Sequence, residues 1–423
     1  MKTQNSHAFF VGAIKTPSFC SRRLVNAGWQ KVVLTREDYQ MLCTQYYQSH
    51  VDAMVEAEGQ KRPRFLHNVH HYEYIIPEQK QEILVSGSKM NPQTREKELL
   101  LLDDYHLNIC KLHIYLFPLK ITLFAIEVND SGSDLNELTQ AHFWLSTLHR
   151  DLSPNTKQAL NAILEPLFVL MNGKEMSDII KNGNKLKIFQ IVQLLEDQAS
   201  SFKDEDALLY EIGSSTAIGV IHSNHMNAPS DSYYEQIVKN NSVSTFKQWK
   251  ALALVDSFTV LTTRNDFNVW PFINHYFPLI YLRCIFEDTF CFSRNNVYRL
   301  NKDNRNLAME INQMEKYYFY GNISFNFQPP LLYEAMARGI GIAKERRELT
   351  SQIKEKEEKN STLILATVSV FAAFSIAFDL YSILIAAQGV PKESVPRLAL
   401  YILGTAVLFI VILLSIIISR KRI

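Results

Sequence analysis

Cysteine is scarce in this 423-residue chain, and the five cysteines present are scattered along it. None forms a Cys-x-x-Cys pair, so the pattern fits reduced thiols and excludes a disulfide framework. The chain also lacks an excess of charge of either sign, because it has 44 lysines and arginines and 43 aspartates and glutamates. Such a balance gives no sign of wholesale nucleic-acid binding, and we predict no direct nucleic-acid partner.

Catalytic motifs are also missing. No Ser/His/Asp or Cys/His arrangement stands out, and no Gly-rich loop ends in the Gly-Lys-Ser/Thr of a phosphate-binding loop. We therefore predict that the protein is not an enzyme. A signal peptide is not visible either: the apolar run Ala8–Ile14 is short and closed by Lys15 and Pro17, which predicts a first strand.

Two long apolar runs stand at the carboxyl end, at residues 363–387 and 398–418. Each is long enough to cross a hydrocarbon core of about 30 Å, since a helix rises about 1.5 Å per residue. The link 388–397 holds Gly389, Pro391 and Pro396, as expected of a tight turn. The pattern predicts a two-helix transmembrane hairpin at 363–419 that contacts the lipid bilayer.

Basic residues flank the hairpin on one side. Because such residues favour the cytoplasmic face, they place both termini in the cytoplasm and the protein in the cytoplasmic (inner) membrane. The residues are Lys344, Arg346, Arg347, Lys354, Lys356 and Lys359 before the first span, and Arg420, Lys421 and Arg422 after the second.

The first span carries one stripe that mixes small polar and bulky apolar side chains. Such a mixture suits a narrow pore, and contact between helices through small residues is the alternative. The predicted pore-lining residues are Asn360, Ile364, Thr367, Phe371, Ser375, Phe378 and Ser382.

Asp379 is the single carboxylate of the first span. A carboxylate within a bilayer normally faces protein, water or a cation, so we predict that Asp379 binds a cation or a neighbouring helix. In the alternative, the span ends near Phe378 and Asp379 lies at the membrane interface.

The segment 331–362 before the first span is charged and rich in helix formers, and it predicts a stalk helix continuous with that span. Its sparse apolar seam of Ile342, Leu349 and Ile353 calls for partners, so we predict a homo-oligomer.

The long helix, the two spans and the basic tail Arg420-Lys421-Arg422 together resemble the CorA divalent-cation transporters. The Gly-Met-Asn tripeptide of that family is absent, and Ser382 to Gly389 stands in its place. The resemblance implies a pentameric channel for cations, with Mg²⁺ as the candidate ion. A branch of the family found beside type III CRISPR systems is similar in having an unusual cytoplasmic domain. It implies gating by a nucleotide second messenger, of the kind that joins S-adenosylmethionine to AMP, in antiviral defence. A membrane-anchored nucleotide-binding signalling protein without a pore is the alternative.

Residues 1–330 predict a mixed α/β cytoplasmic domain. Its clearest element is a hairpin of Ile109–Leu116 with Ile121–Val128, in which apolar and polar residues alternate. Further elements follow in order. They are a helix begun by Thr35 and continued to Glu58, strands at 64–76 and 82–85, helices around Leu135–Leu145 and Leu160–Leu170, strands at 186–194 and 258–262, a buried helix at 269–286 and a helix at 303–320.

Three clusters of residues in this domain contain polar, aromatic or histidine side chains that could bind a ligand. Gly213–Gly219 is small and polar, which suits either part of a nucleotide site or a plain loop. Phe143 and Trp144, with His149 and Arg150, have the residue types that stack a base and meet a phosphate, and core packing is the alternative. The histidines at 67, 70 and 71, and at 222 and 225, favour isolated side chains over metal ligands, because they do not converge.

Overall fold

A large mixed sheet runs through the first part of the chain in the computed structural model. The model describes residues 2–15, 20–42, 54–58, 69–90, 97–147, 152–168, 170, 185–195, 204–223, 228–299, 307–317, 324, 326–352 and the helical positions 362, 365, 368, 369, 372, 375, 379, 382 and 383. Contacts divide the chain into two units, Met1–Arg346 and Arg347–Ile423, and the sheet belongs to the first. The predicted mixed α/β domain is confirmed.

The described strands form one 10-stranded sheet. Their spatial order is β2-β3-β5-β6-β1-β7-β10-β9-β8, with β4 paired to β5 beside that path. β10 runs parallel to β7, and the other described pairs are antiparallel. The strands are β1 Thr3–Lys15, β2 Gln30–Lys31, β3 His70–Ile75, β4 Glu82–Met90, β5 Lys97–Phe117, β6 Ile121–Asp130, β7 Lys187–Leu194, β8 Ser242–Val243, β9 Lys250–Ala253 and β10 Ser257–Thr262.

Helices cover both faces of this sheet. They are α1 Cys20–Asn26, α2 Arg36–Met41, α3 Leu135–Thr147, α4 Pro154–Phe168, α5 Glu205–Ser214, α6 Asp231–Asn241, a π-helical segment Phe272–Tyr281, α7 Leu282–Arg299, α8 Leu307–Tyr317 and α9 Gln328–Ile340. Neighbouring residues of β1 show the two sides, since a strand points alternate side chains to opposite faces. Phe10 packs edge-on against His142 of α3, whereas Phe9 stacks on Phe277 of the π-helical segment with ring centroids 3.8 Å apart.

The hairpin predicted from alternation is confirmed. β5 pairs with β6 from Asn108 to Phe117, and the paired ends Phe117 and Ile121 enclose a three-residue turn. Two of its residues, Leu119 and Lys120, adopt left-handed backbone angles with φ of 61° and 62°. This conformation is uncommon for residues with a side chain, because Cβ approaches the following carbonyl oxygen.

Several other predicted elements are confirmed, with changed ends. β1 contains the first strand, β7 and β10 match the later strands, and α3 and α4 match the two amphipathic helices. The Thr35 side chain accepts a hydrogen bond from the Asp38 N–H at 3.1 Å and begins α2. The prediction that this helix continues to Glu58 is wrong, because Ala57 forms a β-bridge with Leu34.

The apolar stretch Val269–Phe286 forms the predicted buried helix. Its first part is π-helical, and Pro278, which lacks an N–H, lies inside it. The Tyr281 hydroxyl donates to the Ile188 carbonyl at 2.9 Å and ties the segment to β7. α7 continues the helix and carries Arg283 and Glu287, which are both buried.

Glu287 holds a buried ionic cluster together. Its carboxylate lies 3.0 Å from Nε of Arg283 and 2.8 Å from Nη2 of Arg346, and it accepts from the Tyr333 hydroxyl at 3.2 Å. The Arg283 guanidinium also lies over the Tyr333 ring. The cluster joins α7 to α9 and to the residues that follow α9, so charge pairing supplements apolar packing at this end of the unit.

The predicted fold class is wrong in its transmembrane hairpin. No helix in the part of the chain that the structure describes is long and apolar enough to cross a membrane. The longest described helix, α7, has 18 residues and includes several charged side chains. Most of the first predicted span and all of the second, 398–418, lie outside the described residues.

The continuous stalk predicted from Leu331 onward is also interrupted. α9 ends at Ile340 because Gly341 adopts a left-handed φ of 87°, and its N–H bonds to the carbonyls of Ala337 and Arg338. Residues 342–352 are helical again. The break lies at the glycine whose missing side chain makes such a conformation easy.

Candidate functional site

A cleft of about 210 Å³ opens beside the amino end of β7 in the first unit. Its walls come from α3, the residues before β7, α5, α6 and the turn between β9 and β10, with Gly339 of α9 at one side. We call this space the β7 cleft. Six separate parts of the sequence meet there, so the site exists only in the folded unit.

Capping and turn residues position α5 along the cleft. The Asp204 carboxylate accepts from the N–H groups of Asp206 and Ala207 and begins the helix. Ser215 ends it with a left-handed φ of 54°. The Ser257 hydroxyl donates to the Gly213 carbonyl at 2.6 Å and fixes the end of α5 to the start of β10.

Aromatic side chains line much of the cleft. Phe143 comes from α3, Tyr210 from α5 and Tyr233 from α6, and Tyr233 is 52% exposed. The Lys185 ammonium lies 5.3 Å from the centroid of the Phe143 ring. This arrangement offers flat apolar surfaces next to a cation, the combination that stacking of an aromatic, negatively charged ligand requires.

Two exposed charged side chains of opposite sign line the cleft, Lys185 and Asp256. Neither makes an ion pair among the described residues. By contrast, the nearby Lys187 lies 3.5 Å from Asp288 and donates to the Val255 carbonyl at 2.9 Å. Lys185 is therefore available to an anion, and Asp256 to a donor such as a sugar hydroxyl.

The polar loop Gly213–Gly219 does not form a phosphate cradle. The buried carboxylate of Glu211 accepts from the N–H groups of Gly219 and Ile221 at 2.9 and 2.8 Å. An internal carboxylate thus occupies the amides that would otherwise face a phosphate. Gly213 and Ser215 still line the β7 cleft, so the loop contributes walls to it and leaves phosphate contact to other groups.

Comparisons with protein-family models, with curated proteins and with solved structures give no match to this chain.

The aromatic pair Phe143 and Trp144 divides between two environments. Trp144 is fully buried in the main core, which matches the packing alternative. Phe143 is half-buried and lines the β7 cleft. His149 and Arg150 lie outside the described residues.

The predicted pore-lining residues belong to the second unit. Ser375 and Ser382 are exposed helical positions, as is Asp379. The remaining predicted pore residues, Asn360, Ile364, Thr367, Phe371 and Phe378, lie outside the described residues.

The predicted histidine groups separate in the structure. The His70 Nδ1 lies 3.1 Å from Glu56, and His222 lies 3.3 Å from Asp204, while His67 and His225 are outside the described part. Burial alone would raise the pKa of Glu56, but its bonds to His70 and Lys31 lower that pKa to about 2. Within the described ranges, no three histidine, cysteine or acidic side chains are arranged to hold a metal ion.

Sequence patterns gave no sign of Lys185, Tyr210, Tyr233 or Asp256. Each stands alone in its own segment, without a repeat or a motif around it. A signal arises only when β7 pairs with β10 and brings residues 185–188 beside 254–257.

Proposed function

We propose that the protein is a nucleotide-binding sensor whose β7 cleft takes up one nucleoside monophosphate moiety. The juxtaposition of the Lys185 ammonium with the Phe143 ring carries this proposal. A base stacks on an aromatic ring, and a phosphate nearby meets a lysine, so both halves of a nucleotide find a partner within a few ångströms.

The size of the cleft limits the ligand. Pockets for drug-sized ligands measure roughly 300–1,000 Å³, and the β7 cleft has about 210 Å³. A base with its ribose suits this space, whereas a conjugate of two nucleosides exceeds it. A second messenger of the S-adenosylmethionine–AMP kind would therefore place one nucleoside in the cleft and leave the other outside.

Polar groups around the cleft provide separate contacts for a sugar and for a phosphate. The Asp256 carboxylate is an acceptor for ribose hydroxyls. Ser146 and Ser215 add hydroxyl groups to the walls. The phosphate goes to Lys185, because the amides of the neighbouring loop are bonded to Glu211.

The resemblance to the CRISPR-associated branch of the CorA transporters supplies the first ligands to test and proposes antiviral defence as the setting. Cation binding at Asp379, with Mg²⁺ as the candidate ion, stays a prediction. So do a homopentamer and a place at the cytoplasmic membrane.

Isothermal titration of the full chain tests the proposal. The ligands are AMP, ATP, cyclic oligoadenylates and an S-adenosylmethionine–AMP conjugate, and we expect saturable binding of at least one. Lys185→Gln and Tyr233→Ala should each weaken it about tenfold, equivalent to about 1.4 kcal/mol. Lys80→Gln, at an exposed site on the 3-10 turn Glu78–Lys80, is the matched control and should leave affinity unchanged. Absence of binding, or affinity indifferent to both cleft variants, would overturn the proposal.

A further inference from the structure

Four polar side chains form a row across the sheet on the face covered by the π-helical segment. The His71 Nε2 on β3 lies 3.1 Å from the His113 Nδ1 on β5. The His113 Nε2 lies 2.8 Å from Oε2 of Glu127 on β6, and the other oxygen of Glu127 lies 3.2 Å from His7 on β1. We call these residues the histidine row. The four side chains contact one another in sequence, His71 to His113 to Glu127 to His7. They do not converge on one central point.

The ionised carboxylate at the centre dictates where protons sit. Burial alone would raise the pKa of Glu127, but the contacts with His113 and His7 outweigh it and hold that pKa well below its ordinary value. A carboxylate accepts only, so the Nε2 of His113 carries a proton and donates it. The remaining nitrogen, Nδ1, faces His71.

The contact between the two histidines needs one donor and one acceptor. When His113 is neutral, its Nδ1 accepts and the Nε2–H of His71 donates. When His113 is charged, its Nδ1–H donates and the Nε2 of His71 accepts. When both rings are charged, two N–H groups face each other at 3.1 Å, and the hydrogen bond becomes a repulsion.

The surroundings of His71 do not compensate a second charge. Its ring stacks on Tyr115 with centroids 4.2 Å apart, and Phe277 of the π-helical segment presents an apolar ring to Tyr115. The nearby Lys111 is cationic and lies 3.6 Å from Glu73. Burial, followed by the charges of His113 and Lys111, sets the pKa of His71 well below its ordinary value, although Glu127 acts in the opposite direction.

The position of His71 in the sheet makes this repulsion consequential. β3 has six residues, and it lies between the long β5 and the two-residue β2 at the edge of the sheet. Few hydrogen bonds join β3 to β2 on the outer side of the sheet. Of the strands that carry the histidine row, β3 is therefore the one held most weakly in the sheet. On the other face of β3, the His70 Nδ1 lies 3.1 Å from a carboxylate oxygen of Glu56.

We propose that His71 and His113 form an acid-sensitive latch, which holds one shared proton and opens β3 from β5 when a second proton enters. The latch does not involve the β7 cleft, and it stands whether or not the cleft binds a nucleotide. In acid, β3 would separate near one edge of the sheet, while the central strands stay paired.

Amide hydrogen exchange of the full chain between pH 7.5 and 4.5, corrected for intrinsic rates, tests the latch. We expect protection of β3, relative to β10, to fall at least tenfold on acidification. In His71→Gln, the side-chain amide donates to the His113 Nδ1 without titrating, and the relative protection should stay constant. His106→Gln, at an exposed position of the same sheet, and His70→Gln should both retain the fall.

A second measurement keeps the test independent of how well the variants fold. Imidazole nitrogen resonances of the wild-type chain should show that the loss of β3 protection accompanies the protonation of His71. Protonation of His71 without loss of β3 protection, or an equal loss in His71→Gln, would each overturn the proposal.

Discussion

His142 on α3 donates its Nδ1–H to Oε1 of Gln190 on β7 across 2.9 Å. The roles are fixed because the Gln190 amide nitrogen donates to the Ile212 carbonyl and to the Thr259 hydroxyl, which leaves its oxygen to accept. The ring of His142 is almost fully buried, and its Nε2 has no hydrogen-bond partner among the described residues. A neutral imidazole satisfies this site, and a charged one does not.

Acid should therefore destabilise the first unit through His142. Burial lowers the pKa of His142 to about 4, so the unfolded chain takes up a proton near pH 6.5 that the folded chain refuses. The free energy of unfolding is fully retained above pH 6.5 and falls as the pH drops towards 4, by about 3 kcal/mol for this residue. Urea unfolding at several pH values measures the slope. His142→Gln should flatten it and the exposed-site variant His106→Gln should not, and equal slopes in all three proteins would contradict the prediction.

Two helical glycines offer a matched test of backbone packing. Gly339 and Gly213 are each the second-last residue of their helix, so alanine gains about 1 kcal/mol of helix propensity at either. A Cβ at Gly339 would lie 2.7 Å from the backbone of Ala253, whereas at Gly213 it meets side chains at 3.1 Å or more. We expect Gly339→Ala to lower the free energy of unfolding by about 1–3 kcal/mol and Gly213→Ala to change it by less than about 1 kcal/mol. Equal effects in chemical denaturation would show that the β9 backbone yields.

Glu287 should be the most sensitive charged position of the unit. Glu287→Ala leaves the buried guanidinium of Arg283 without its carboxylate, at an expected cost of about 3–5 kcal/mol. Glu310 pairs with Arg294 at 2.6 Å on a partly exposed surface, and Glu310→Ala should cost about 1 kcal/mol or less. Thermal unfolding of both variants makes the comparison, and a similar loss of stability in the two would show that burial does not govern the cost.

The left-handed turn between β5 and β6 should gain stability from glycine. Lys120→Gly relieves a backbone conformation that costs residues with a side chain about 1–2 kcal/mol, less the entropy that glycine loses on folding. We expect a net gain of about 0.5–1 kcal/mol in the free energy of unfolding. Lys120→Ala keeps the Cβ and should show no gain, and an equal gain in both variants would assign the effect to the lysine side chain.

Short-range sequence patterns correctly predicted those elements whose residues lie close together in the chain. The period-two alternation around Leu112 and Ile114 found the β5–β6 hairpin, and Thr35 marked the start of α2. The parallel pairing of β7 with β10 had no such signal, because its strands are separated by α5, α6, β8 and β9. The hairpin at 363–419 was predicted from the apolar length of two runs and the turn-like link between them, and neither carries information on what covers a helix.

The candidate sites show the same division. Phe143 was singled out by its residue type, but Lys185 and Asp256 gained meaning only from the pairing of distant strands. The histidine row was closer to prediction. Once β5 and β6 are paired, alternation places His113 and Glu127 on one face, so the sequence of the hairpin contains the signal for this contact.

The central place of β1 affects how the chain is made. β1 lies between β6 and β7, and both follow it in the sequence, so β1 has neither neighbour when it emerges from the ribosome. β6 follows about 100 residues later, and translation at about 5–20 residues per second leaves β1 waiting for roughly 5–20 s. During that interval the apolar segment around Phe9 and Phe10 is exposed and can bind chaperones or other nascent chains. Synthesis rate, and not only equilibrium stability, should therefore set the yield of folded protein.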